Sequence, residues 1–192
     1  MEPMLGINDK SIFYKYLDKS KVYFEFGSGG STWQVSLRPN IEYMYSVESD
    51  LEWHNKLKEI INDTSKIKFI YNEMNTAPNN YGHPGENSTF EQRKSYSEQI
   101  LLLNPSEQKK IDLILIDGRF RVACCLKCFD VIRSDCFIAF DDFLNRPQYH
   151  IVLEYYDIVD KTSDNRLVIL KKKQGIRSID RRIIEKYEII VD

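Results

Sequence analysis

The residues of this chain best suited to chemistry are acids and glycines standing at the ends of apolar runs. Val22-Tyr23-Phe24-Glu25-Phe26 ends abruptly in Gly27-Ser28-Gly29-Gly30, followed by the hydroxyl pair Ser31-Thr32. Glycines at such a turn let a ligand approach the backbone, and the free N–H groups of a helix start offer it donors. Gly27, Ser28 and Gly29 are therefore candidate cofactor-binding residues. The next apolar run, Ile41 to Val47, closes with Glu48. In doubly wound nucleotide folds an acid about 20 residues beyond the first glycine takes the ribose hydroxyls, because a carboxylate can accept two hydrogen bonds from a vicinal diol. Two further runs, Ile111–Ile116 and Cys136–Phe140, end in Asp117-Gly118 and Asp141-Asp142. Oxygen ligands arriving from neighbouring strands could hold a hard cation, and a cationic cofactor would suit the same acidic edge.

Elements must exist that bring these groups together. Apolar, aromatic and β-branched runs at Lys21–Phe26, Ile41–Val47, Lys66–Tyr71, Ile111–Ile116 and Cys136–Phe140 read as strands. Helical patterns fall at Asn8–Leu17, after Ser31-Thr32, at Leu51–Ile61, Phe90–Leu103, Arg121–Ile132 and Gln148–Tyr156. A hairpin turning at Ser163-Asp164-Asn165 and a helix from Ser178 through Tyr187 complete the chain. This alternation predicts an α/β, Rossmann-like doubly wound sheet, mostly parallel, with a C-terminal antiparallel hairpin. One domain over residues 1–192 is expected, with a turn-rich lid or acceptor loop near 72–97 that carries Tyr81 and His83.

The glycine spacing separates two cofactors. The dinucleotide fingerprint needs a third glycine where Thr32 stands, which disfavours an NAD-type oxidoreductase. Glu25-Phe26-Gly27-Ser28-Gly29 instead resembles motif I of the class I S-adenosylmethionine-dependent methyltransferases, with Ser31 where many of them carry another glycine. That resemblance implies S-adenosyl-L-methionine as cofactor, bound by Glu25, Gly27, Ser28, Gly29, Glu48 and Asp117. The pairing of Ile116-Asp117-Gly118 with Phe140-Asp141-Asp142 resembles metal-dependent sugar and catechol O-methyltransferases. It implies Asp117, Asp141 and Asp142 as ligands of Mg2+. The histidine that sugar-modifying relatives place just after the first acid is replaced by Arg119. The segments Asp117–Ala123, Asn145–His150 and Tyr81–Pro84 resemble methyltransferase-like proteins found among glycan-building genes, which implies a glycan hydroxyl as acceptor.

Asp142, His150 and His83 are the candidate catalytic residues, since each could take the proton of an acceptor hydroxyl. His54, inside a helix, reads as structural or exposed. A third reading keeps the cofactor site without catalysis, as a partner module of a glycosyltransferase. The formal charge of −2 argues against a nucleic-acid partner, and no run approaches a membrane span. Cys124, Cys125 and Cys128 crowd one helix as small packing residues, which suits a reducing, cytoplasmic setting and neither disulfides nor zinc.

Overall fold

The computed structural model describes residues 1–78 and 80–191. Seven strands form one sheet in the order β3-β2-β1-β4-β5-β7-β6. They are β1 (Val22–Phe26), β2 (Tyr43–Glu48), β3 (Ile67–Tyr71), β4 (Leu113–Ile116), β5 (Phe137–Phe140), β6 (Tyr156–Lys161) and β7 (Val168–Lys172). The first five pair in parallel, whereas β7 runs antiparallel to both β5 and β6. The predicted architecture is therefore present, with β7 inserted between β5 and the edge strand β6.

Side chains alternate between the two faces with the strand period of two. Phe24, Phe26, Ile114, Ile116, Ile138 and Phe140 face one buried layer, which includes Val122, Cys125 and Phe129 of α6 (Arg121–Val131). Tyr23, Leu113, Leu115, Ala139 and Ile169 face the other, with Phe13 and Leu17 of α1 (Ile7–Leu17) and Val35 of α2 (Gly30–Ser36). Helices α3 (Leu51–Ile60) and α4 (Phe90–Glu98) flank the β2–β3 side and α6 respectively. All four cysteines are free and buried, so they pack as small apolar groups. Among the described residues, no helix is long and apolar enough to cross a membrane.

Several boundaries differ from the sequence expectation for local reasons. Pro147–Glu154 is a 3-10 helix rather than an α-helix. Its buried residues, Tyr149 and Val152, repeat every three positions, which is the 3-10 period. The helix from Phe90 stops at Glu98 and continues as a 3-10 turn, Gln99–Leu102. A short α5 (Pro105–Gln108) follows, because Asn104 and Glu107 form a capping box around Pro105 at the first helical position. Strand β2 begins at Tyr43, since the Ile41 N–H closes a turn on the Arg38 carbonyl and so lies outside the ladder. The last helix, α7 (Arg181–Tyr187), is capped by Asp180, not Ser178.

Candidate functional site

The carboxyl ends of β1, β2, β4 and β5 surround a cavity of about 620 Å³. The glycine turn forms its floor. Gly27 has φ +94, and a Cβ there would stand 2.7 Å from the Gly118 nitrogen, so the turns after β1 and β4 touch backbone to backbone. Gly29 differs: a Cβ at that position would meet no protein atom within 4 Å. Its missing side chain therefore leaves room in the cavity itself. Trp53 of α3 fixes the turn by donating from Nε1 to the Ser28 carbonyl at 2.9 Å.

Glu25 lies beneath this turn and is fully buried. Its carboxylate accepts from the hydroxyls of Tyr23, Ser31, Thr32 and Ser46. Burial raises its pKa against the lowering effect of these four donors. Glu25 does not reach the cavity wall, which corrects the expectation that it contacts the cofactor. It ties the start of α2 to β1 and β2 and so positions the turn. Thr32, at the place of the dinucleotide glycine, links the two: its hydroxyl accepts from the Gly29 N–H and donates to Glu25. Glu25→Leu would orphan four hydroxyls, each costing about 1–3 kcal/mol when unsatisfied. We expect a loss of about 3–5 kcal/mol by denaturant unfolding, and a smaller loss for Glu25→Gln, which keeps one acceptor oxygen.

Glu48 closes β2 and does line the cavity. It accepts from the backbone N–H groups of Ser49 and Asp50 at 2.7 and 2.8 Å, and from Ser28 at 3.2 Å. Burial nevertheless raises its pKa to about 7. The loop after β3 returns beside it, where the Ser49 hydroxyl donates to the Gly82 carbonyl at 3.0 Å. Tyr81, at φ +52 and largely exposed, stands at the rim.

Asp117, Asp141 and Asp142 line the opposite part of the cavity. Arg121 is almost fully buried among them, donating to the carbonyls of Gly118 and Asp141 and to Asp117 Oδ1 at 3.1 Å. Arg166 Nε lies 3.0 Å from Asp142 Oδ1 and 3.4 Å from Asp141 Oδ1. Arg146 donates to Asp142 Oδ2 at 2.8 Å. Burial, with Asp117 and Asp142 nearby, pushes the Asp141 carboxyl up despite the two guanidiniums.

A parallel sheet in this strand order, with an antiparallel β7 beside β5 and the cavity at the strand ends, invites comparison with solved structures. A methyltransferase-like protein of Silicibacter pomeroyi superposes with a TM-score of 0.80, at 22% identity, over 97% of this chain and 94% of that one. A candidate caffeoyl-CoA O-methyltransferase of Staphylococcus aureus matches at 0.55 and 13%, over 90% and 86%. A tRNA methyltransferase of B. subtilis matches at 0.54 and 12%, over 90% and 68%. This is the class I methyltransferase fold. Neither protein-family models nor curated protein sequences match the chain.

The cofactor implied by the class I fold suits what the cavity offers: an open Gly29, a glycine-rich turn, and an acid at the end of β2. The Mg2+ implied by the sugar O-methyltransferase resemblance does not suit it. Among the described residues no three His, Cys, Asp or Glu side chains are grouped to hold a metal ion. Asp117, Asp141 and Asp142 are bridged by guanidiniums instead, so the expected ligand set is corrected.

The histidines also divide. His150 is absent from the cavity wall; its ring packs on Phe143, which corrects its assignment as a base. His83 meets Arg119 Nη1 at 3.0 Å through Nε2. A guanidinium can only donate, so Nε2 is the acceptor and the ring proton sits on Nδ1. Desolvation and then the Arg119 charge lower the His83 pKa. His83 thus holds Arg119 at the cavity and its Nε2 lone pair is occupied. Of the two readings of His54 the structural one holds: it is buried, set against Phe69 and Tyr71, and burial lowers its pKa to about 4.

Sequence reasoning missed Arg166, Trp53 and the N-terminal residues Glu2 and Pro3. Arg166 reaches the site because β7 lies against β5 and Phe143 N–H donates to the Arg166 carbonyl at 2.7 Å. Trp53 carried an aromatic signal but no motif. Glu2 and Pro3 lie over Gly30, and the Gln34 amide holds Met1 and Glu2 there.

Proposed function

We propose that this chain is an S-adenosylmethionine-dependent methyltransferase acting on an acceptor oxygen, a hydroxyl of a glycan. The observation that carries the reading is the cavity floor, where Gly29 leaves room for a ligand and Glu48 offers a carboxylate beside it. The bound cofactor supplies an electrophilic methyl group. The chain must then align an oxygen with it and accept one proton. Glu48 takes a ribose hydroxyl through the lone pair that its three backbone donors leave on Oε2, while the turn at Ser28-Gly29 borders the cofactor. Asp142, at φ +57 and partly open to the cavity, is the residue facing the acceptor end that can receive the hydroxyl proton. The glycan acceptor rests on the likeness of Asp117–Ala123 and Asn145–His150 to proteins of glycan-building clusters.

Incubation of methyl-labelled S-adenosylmethionine with a panel of mono- and oligosaccharides, read by mass spectrometry, tests the reading. Transfer to a hydroxyl supports it. Bound cofactor with no transfer to any acceptor would favour the non-catalytic partner module.

The raised pKa of Glu48 gives a pH signature. Its ionised form is the better acceptor for a donating hydroxyl, so ligand affinity should rise with pH and level off above about 7. With that pKa, the ionised fraction grows roughly tenfold between pH 6 and 8. 5′-Methylthioadenosine, which lacks the titrating amino-acid end, should therefore bind roughly tenfold more tightly at pH 8, and Glu48→Gln should flatten the profile. A flat wild-type profile would remove Glu48 from the ribose.

A further inference from the structure

The place that the metal-dependent relatives would give to a divalent ion already holds positive charge. Arg166 enters it from the turn before β7, with Nε buried between Asp141 and Asp142 and Asp9 Oδ2 at 3.8 Å beyond them. Arg121 faces the same two acids from below, 3.7 Å from Asp141 Oδ2 and 3.5 Å from Asp142 Oδ2, and bonds Asp117 on its other side. Arg146 takes the outer oxygen of Asp142. Every acid of the expected ligand set is thus engaged by at least one guanidinium. A hard cation would have to displace these pairs and would suffer the repulsion of charges a few ångströms away, which a low-dielectric site screens weakly.

We propose that Arg166, backed by Arg121, is the resident cation of the acceptor end, standing in for a divalent metal, so that this site excludes such ions. The proposal rests on reading the cavity as a methyl-transfer site. Its physical content is independent of the acceptor. Arg121 is locked by backbone carbonyls and nearly inaccessible, whereas Arg166 is 37% exposed and lines the cavity. The Nη atoms of Arg166 have no hydrogen-bond partner among the described residues, which leaves planar donors for an oxygen of a bound molecule.

The test is calorimetric titration of Mn2+ into the full chain, wild type and variants. The wild type should bind no Mn2+ at this site. Arg166→Gln removes the charge and keeps an amide, so it should gain Mn2+ affinity by roughly tenfold or more. Adding Asp142→Asn to Arg166→Gln should abolish the gain. Arg166→Lys keeps the charge and should resemble the wild type, which separates charge from altered folding. Mn2+ binding to the wild type that Asp142→Asn removes would overturn the proposal, as would a folded Arg166→Gln protein with no gain. S-adenosylhomocysteine is titrated on the same proteins. Failure of the wild type to bind it would sink the methyltransferase reading and leave Mn2+ to decide this one.

Discussion

Gly29→Val should abolish measurable cofactor binding in a protein that still folds. A Cβ at Gly29 meets no protein atom within 4 Å, and φ is −178, an extended conformation open to any residue. The protein therefore tolerates the side chain, and only the ligand's space is lost. Valine there projects its branches into the cavity beside Ser28. We expect S-adenosylhomocysteine affinity to fall by roughly a hundredfold or more, which is about 2.7 kcal/mol. Stability of the free protein should change by less than about 1 kcal/mol, since lost backbone entropy of glycine and a poorer helix cap act in opposite directions. Gly27→Val provides the contrast. At φ +94 and against Gly118, it should damage folding as well as binding.

The second large effect is expected at Arg121. Its guanidinium is buried and donates to Gly118, Asp141 and Asp117, joining the turns that follow β4 and β5. Arg121→Met conserves most of the volume but removes the charge, leaving Asp141 buried with Arg166 as its remaining counter-ion. Breaking a buried ion pair by removing one partner costs about 3–5 kcal/mol, and we expect a loss of that size in urea unfolding. Arg121→Lys should recover only part of it, because a point charge cannot reach three acceptors with the fork of a guanidinium. A loss below about 1 kcal/mol in Arg121→Met would mean that the acids, not the arginine, hold these turns.

These residues also show what could be read from the chain alone. The strands declared themselves because their runs are apolar and bounded by turns, and Gly27, Gly29 and Glu48 were legible because backbone clearance and acid spacing are sequence-local properties. Glu25 was legible as part of the motif, but its neighbours decide its role: hydroxyls from Tyr23, Ser31, Thr32 and Ser46 surround it, and Ser46 arrives through the pairing of β1 with β2. Arg166 had no local signal at all. It stands beside Asp142 only because β7 inserts next to β5, so a turn residue of the hairpin becomes the counter-ion of an acid 24 positions earlier. His150 misled for the converse reason. Its imidazole chemistry and its place shortly after Asp141-Asp142 in sequence say nothing of its direction, and the 3-10 segment turns its ring onto Phe143.

The most direct test of the account is isothermal calorimetry of the wild-type chain with S-adenosylhomocysteine and, separately, NAD in metal-free buffer. One equivalent of S-adenosylhomocysteine should bind, NAD should not, and the isotherm should be unchanged by added Mg2+. Binding of NAD without S-adenosylhomocysteine would contradict the account at its centre.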